Sequence, residues 1–304
     1  MSRFVLVVDE KNFLTKDILK NLLKVLNPAI WSYEKFLHHT WVSEKIFYLT
    51  PVSREFLIPK VKKLAEEINT RIINPIELQV FDKPQFDEIF AKNEVIYPTS
   101  IMTRSSVEAM NFIRKHRIAI IKSRNDCGGS GHFIVRDGWA YLGKKRFFLN
   151  FEEGMDGKRK IERDNLLVSP PFYIQKFLLP DDGCVWRAYV VGSDVKFFSV
   201  RKRDYYENIG DYVINVARGA KYYFLEGDPL TRKICNDFAK TTKLQVGAID
   251  FIFHEGTPYF LEVNCEGAWI LICRKFYEYL EYNPKKHNFD KFIFEFLFDL
   301  SKKA

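Results

Sequence analysis

No apolar run in the 304-residue chain approaches the roughly 20 residues that cross a bilayer as a helix, so no membrane span is expected. The five cysteines, Cys127, Cys184, Cys235, Cys265 and Cys273, contain no C-x-x-C pair, and no histidines stand beside them at ligand spacing. That excludes a structural zinc site, and the odd count argues against a disulfide framework. Nothing repeats and no stretch is of low complexity, which leaves an ordinary globular chain. The loop pattern G-x-x-x-x-G-K-[ST] is missing as well, so no nucleotide site of that type is expected. The run Arg3-Phe-Val-Leu-Val-Val8 meets Asp9-Glu10 at once, as a buried strand does and a signal peptide does not. A reducing cytoplasm is the expected location.

What is present is a moderate excess of positive charge, 47 lysines and arginines against 39 acids, for a formal +8. It favours anionic ligands. The clusters Lys60-Val-Lys-Lys63, Lys144-Lys-Arg146, Lys158-Arg-Lys160 and Lys285-Lys286 are short and separated, so no continuous nucleic-acid stripe forms. The 28 phenylalanines are spread along the chain and read as core filling in a protein long enough for two or three subdomains.

Hydrophobic spacing divides the chain into three. Strands at Phe4 to Val8, Ile46 to Leu49 and Arg71 to Ile73 alternate with helical spacing over Thr15 to Leu26 and Glu55 to Asn69, an open α/β pattern over residues 1–92. Helices at Asp82 to Ala91 and Ser105 to His116 lead into short strands at Ile118 to Ile121, His132 to Val135, Trp139 to Leu142 and Arg146 to Phe151. This reads as a small α+β unit over residues 93–171. Residues 172–304 carry strands at Tyr173 to Leu178, Val185 to Val191 and Val195 to Arg201, a helix at Pro229 to Lys243, and a final helix at Phe289 to Lys303.

Within the third region, Val246 to Phe253 and Tyr259 to Asn264 are apolar strands joined by a glycine-containing turn. A strand's period of two places Glu262 and Asn264 on one face, and a three-residue loop of Glu255, Gly256 and Thr257 would set Asp250 opposite Glu262. Acids embedded in apolar strands need partners. Three oxygen ligands suit a hard cation such as Mg2+, which is held by carboxylates together with substrate phosphates. Upstream, the strand ending at Lys122 runs into Gly128-Gly-Ser-Gly131. Such a turn exposes backbone N–H groups to phosphate oxygens, and the lysine adds a point charge.

Loop, lysine and oxygen ligands, in that order, resemble the ATP-grasp superfamily, and within it the chain is similar to the RimK-type and glutathione-synthetase-type carboxylate-amine ligases. The likeness spans about residues 70–270 and also rests on Asn74-Pro75, Asp82-Lys83, Tyr97-Pro-Thr99, Gln175-Lys-Phe177, Arg187 to Gly192, Arg201, Arg203 and Asn215 to Ala220. It implies an ATP-grasp fold: an N-terminal α/β domain, a small central lid and a C-terminal antiparallel-sheet domain. It also implies ATP with two Mg2+ ions, for which Mn2+ substitutes. Lys83, Lys122, Gly128, Gly129, Ser130, Gly131 and Asn215 would hold phosphates, and Gln175, Lys176 and Phe177 would meet adenine. Asp250, Glu262 and Asn264 would bind the metal, while Arg187, Arg201 and Arg218 would bind a carboxylate and steady transferred charge. The implied activity joins a small-molecule or peptide carboxylate to an amine through an acyl phosphate. Membrane is not an expected partner, nucleic acid is not favoured, and homo-oligomerisation is left open.

Three departures bear on substrate. Lys176 replaces an acid of the hinge, Val185 replaces an acid near the ribose that Asp181 or Asp182 would have to supply, and Cys265-Glu266 stands where a small residue and proline are usual. A kinase acting on a polyanionic small molecule, or a non-catalytic nucleotide or nucleic-acid binder, are the competing readings. Arg203 is the arginine most expected in a surface ion pair.

Overall fold

The computed structural model describes residues 4–8, 29–38, 46–49, 60, 63–64, 71–79, 83–122, 132–151, 159–204, 206–214, 219–265 and 279–303. The first sheet contains β1 (Phe4–Val8), β2 (Ala29–Ser32), β3 (Ile46–Leu49) and β4 (Arg71–Ile73) in the order β2-β1-β3-β4, all parallel. Parallel neighbours require crossover connections, as the α/β pattern anticipates. The helix expected at Thr15 to Leu26 lies outside the described residues, and of the one at Glu55 to Asn69 only Lys60, Lys63 and Leu64 are described, in helical conformation.

The second sheet runs through β5 (Ser100–Thr103), β6 (Ile118–Lys122), β7 (Phe133–Arg136), β8 (Trp139–Leu142), β9 (Lys145–Phe151), β10 (Arg159–Glu162), β11 (Asn165–Val168) and β12 (Phe172–Lys176). Its order is β10-β11-β9-β8-β7-β6-β12-β5, so β12, placed by spacing at the start of the third region, is a strand of the lid sheet. The hairpin β10–β11 carries no strand signal in its first half because three of the four residues of Arg159-Lys-Ile-Glu162 are charged. Charge on an edge strand deters pairing with other chains. The helix Ser106–His116, capped by Ser105 accepting from the Glu108 amide, packs Ala109 and Ile113 onto Ile121, Phe133 and Val135.

The third sheet, β17-β16-β13-β14-β15-β18, comprises β13 (Val185–Val191), β14 (Asp194–Lys202), β15 (Lys221–Leu225), β16 (Val246–His254), β17 (Thr257–Asn264) and β18 (Tyr279–Leu280). Every neighbouring pair is antiparallel except β15 and β18. One face is covered by the helix Pro229–Thr241, started by Asp228 accepting from Thr231, and by the helix Lys83–Lys92. Phe238, Phe86 and Phe90 there bury Ile249, Phe251, Phe260 and Val263. On the other face the final helix, Phe289–Lys303, sets Phe289 against Tyr189 and Phe197. It leaves the part of that face nearer the lid for polar residues.

Candidate active site

The hairpin β16–β17 reaches the expected pairing by a different route. Glu255 and Gly256 have φ of 51° and 72°, and His254 pairs with Thr257, so the loop holds two residues and not three. Two left-handed central residues are the signature of the hairpin turn whose twist matches the strands. The register then shifts between Asp250 and Phe251, leaving Leu261 as an extra residue, and Asp250 is returned to Glu262. A bulge thus supplies the residue that the short loop omits. Asp181 caps the turn by accepting from the Glu255 and Gly256 amides at 2.9 and 2.8 Å.

Strand register lines up Glu262, Asp250, Arg187 and Ser199 across four neighbouring strands on one face. Arg187 grips Asp250 with both ends of its fork, Nε to Oδ1 at 2.7 Å and Nη2 to Oδ2 at 2.8 Å. Arg201 adds a third bond, Nη2 to Oδ2 at 2.7 Å. Burial alone would lift the Asp250 carboxyl, but the two guanidiniums outweigh it and hold the group at about 2. Asp250 is only 1% exposed, while Glu262 and Asn264 are half-buried at the open end of the row. Among the described residues no hydrogen bond engages the Glu262 carboxylate. The Arg201 Nε is buried without a partner among the described residues, and such an orphaned donor is what an anionic ligand would satisfy.

Across the cleft stand the lysines. Lys83 is the first residue of the helix Lys83–Lys92 and is buried. Lys122 ends β6, where burial, and then the charge of Lys83, push its ammonium down to about 8, with Glu262 and Asp87 pulling the other way. That interplay places both lysines and the Glu262 carboxylate in one electrostatic neighbourhood. Lys122 donates to Gln175 Oε1 at 2.5 Å. Gln175 is buried beside Tyr173 and Asp87. Sequence reading missed the last two, since no local pattern links residue 87 with residue 173.

The amides of Lys176 and Phe177 donate to the carbonyls of Thr99 at 2.7 Å and Ile118 at 3.2 Å, which leaves those two N–H groups engaged within the protein. Both candidate ribose acids are also occupied. Asp181 holds the hairpin turn, and Asp182 accepts from the Cys184 amide at 2.9 Å and Trp186 Nε1 at 2.8 Å. Arg203 pairs with Asp211 at 2.8 Å, an ion pair as expected, but one whose side chains are only 14% and 9% exposed and so not at the surface. Gly128, Gly129, Ser130, Gly131, Asn215 and Arg218 lie outside the described residues.

Two contacts fix the frame around this cleft. Asn74 takes a left-handed φ of 65°, and its amide accepts from Gln245 and Val246 at 2.8 and 2.9 Å and donates to the Val246 carbonyl at 2.6 Å. It ties the end of the first sheet to the start of β16. Across the mouth, the lid turn after β8 meets the 3-10 helix Ile209–Tyr212: Gly143 donates to the Gly210 carbonyl at 3.2 Å, and Lys144 pairs with Glu207 at 2.5 Å.

Among the described residues no three His, Cys, Asp or Glu side chains gather as a metal cage. Of the expected ligands, Glu262 and Asn264 are half-buried oxygen donors whose chemistry fits Mg2+ when phosphates complete its shell, while both Asp250 oxygens are already held by Arg187 and Arg201. The orphaned Arg201 Nε fits an anion beside it.

A lid sheet bearing one lysine, a helix bearing another, and an antiparallel sheet whose face carries acids and arginines define the ATP-grasp class of nucleotide-binding proteins. The family model of the RimK-like ATP-grasp domain matches residues 81–274, and the chain belongs to that family. Solved structures agree in fold at low identity. A RiPP-associated ATP-grasp ligase from Chryseobacterium gregarium, in complex with ADP and a leader and core peptide, is 14% identical, with 100% of this chain and 98% of that chain covered and a TM-score of 0.61. A RimK domain ATP-grasp protein from Sphaerobacter thermophilus is 10% identical over 97% and 98% of the two chains, TM-score 0.59. D-alanine–D-alanine ligase from Bacillus anthracis, complexed with ATP, is 12% identical over 99% and 98%, TM-score 0.58. No curated protein matches the sequence. No helix among the described residues is long and apolar enough to cross a membrane.

Proposed function

We propose that the protein is an ATP-dependent carboxylate-amine ligase that forms an amide and releases ADP and phosphate. One observation carries the reading: Glu262, Asp250 and Arg187 stand side by side on one sheet face, with Arg201 bonded to the same carboxylate and Lys122 and Lys83 facing them. Phosphoryl transfer is mainly positioning and charge neutralisation, and this face supplies both signs of charge. The solved structures of similar fold include ligases in complex with ADP and a peptide, and with ATP, which supports a peptide or amino acid as the source of the carboxylate.

In the proposed reaction a carboxylate oxygen bonds to the γ-phosphorus as the bond to ADP breaks. The amine then bonds to the carbonyl carbon as the carbon–oxygen bond to phosphate breaks, and the amine loses a proton to solvent. Glu262 and Asn264, with Asp250 behind them, would hold Mg2+, two ions by the family pattern, and Mn2+ would serve in its place. The metal, when bound, neutralises phosphate charge and polarises the γ-phosphoryl group. Lys83 and Lys122 hold phosphate oxygens from the opposite wall. Arg201, with its unspent Nε, steadies the incoming carboxylate, and Arg187 keeps Asp250 ionised and in place. By the family resemblance Gly128 to Gly131 and Asn215 would hold phosphate, and Arg218 would bind the carboxylate or steady transferred charge; these residues lie outside the described ones. The three described cysteines are buried free thiols, which suits a reducing cytoplasm.

Replacing Glu262 or Asn264 by alanine should abolish ADP formation, and Glu262→Ala should leave the melting curve nearly unchanged. Undiminished ADP release in the presence of Mg2+ would contradict the assignment. Product mass then separates an amide from the stable phosphoester a kinase would leave.

A further inference from the structure

We infer that Asp87 and Tyr173 are positioning residues for Lys122, acting on it through Gln175, and thereby set the grip of the site on nucleotide phosphates. The inference rests on the ATP reading above and adds two residues that neither motif nor charge pattern identifies.

The case is one of hydrogen-bond polarity. An ionised carboxylate only accepts. Ser100 and Tyr173 both donate to Asp87 Oδ2, Tyr173 at 2.8 Å. A tyrosine hydroxyl has one hydrogen, so with that hydrogen directed at Asp87 the Tyr173 oxygen can only accept from the next group. The next group is Gln175 Nε2 at 3.3 Å, which also lies 3.5 Å from the Pro98 carbonyl. The amide orientation follows, and Oε1 is turned toward Lys122, which donates to it at 2.5 Å. Were the chain reversed, the amide NH2 would face the Lys122 ammonium and repel it. The acid at one end, the Pro98 carbonyl beside the amide and the ammonium at the far end all require the same orientation, and the acid and tyrosine hold it in register.

Burial makes that orientation firm. Asp87, Tyr173 and Gln175 are 9%, 3% and 2% exposed, so water has little access to replace a missing partner. Strand pairing sets Tyr173 directly beside Lys122, and Gln175 follows two residues on along the same face of β12. Asp87 sits one helical turn beyond Lys83 on the helix Lys83–Lys92. A single helix thus presents one lysine itself and governs the second through the relay.

The test uses the full-length protein with ADP and Mg2+ and, separately, with adenosine, followed by calorimetry. Asp87→Ala removes the acceptor that Ser100 and Tyr173 share, and Tyr173→Phe keeps the ring and removes the relay. Each is expected to weaken ADP binding about tenfold, the size of one lost bond to a charged group, and to weaken adenosine binding, which engages Gln175 but not Lys122, by much less. In a Lys122→Ala background the same substitutions should add nothing, because the residue they serve is gone. Unchanged ADP affinity in the two variants, or a full further loss in the Lys122→Ala background, would overturn the inference alone. Wild-type protein that binds no ADP with Mg2+ would overturn the nucleotide reading and this inference with it.

Discussion

Of the three expected metal ligands, one should behave unlike the other two when removed. Asp250→Ala deletes the carboxylate that, among the described residues, bonds to both Arg187 and Arg201, whose side chains are 5% and 9% exposed. Two buried guanidiniums would lose the charge of this partner, and breaking a buried pair from one side costs about 3–5 kcal/mol. In a chain of this size that lowers the melting temperature by on the order of 10 °C. Glu262→Ala touches a half-buried carboxylate with no hydrogen bond among the described residues, so its cost should stay within about 0.5 kcal/mol. Thermal melts by circular dichroism, paired with ADP-release assays, separate the two effects. Both variants should lose activity, and only Asp250→Ala should lose stability. Equal melting temperatures for the two would refute the pairing of Asp250 with the arginines as a structural element.

Acid should expose the same pair. The Asp250 carboxyl is depressed from 3.8 to about 2, so the stability it contributes is present above 3.8 and lost as pH falls through about 2. The gap is on the order of 2 kcal/mol, and urea unfolding from pH 5 to pH 2 should show most of that loss, which should be missing in Asp250→Asn. A Cβ at Gly210 would lie 2.3 Å from the Gly143 oxygen and 2.7 Å from its nitrogen, so Gly210→Ala should part the lid turn from the C-terminal loop. A raised KM for ATP and faster proteolysis of the lid are expected, and wild-type values for both would contradict the contact. Asn74→Ala removes three hydrogen bonds, two buried and one part-buried, and strains a left-handed residue; a loss of about 3 kcal/mol is expected in urea titration, against which an unchanged midpoint would count.

Periodicity made the final helix Phe289–Lys303 and the β16–β17 hairpin legible, because each buries one face at a fixed spacing. Loop length was not legible. Glu255 accepts a left-handed φ, and the bulge at Leu261 conceals the missing loop residue from any count along the chain. The acids and arginines could be chosen one by one, but their partnership spans 63 and 49 residues and exists only once β13, β14 and β16 pair. Asp87 and Tyr173 went unseen for the same reason, being 86 residues apart and ordinary in their own segments. β10 went unseen because its charges serve the sheet edge rather than a core.

Amide formation through an acyl phosphate is tested most directly by isotope transfer. With the carboxylate identified by ADP release across a panel of amino acids and peptides, that substrate is labelled with 18O in its carboxylate and turned over with ATP, Mg2+ and an amine. A carboxylate-amine ligase must deliver one 18O to the released phosphate for every amide formed. Unlabelled phosphate, or a phosphoester product that retains the label, would contradict it.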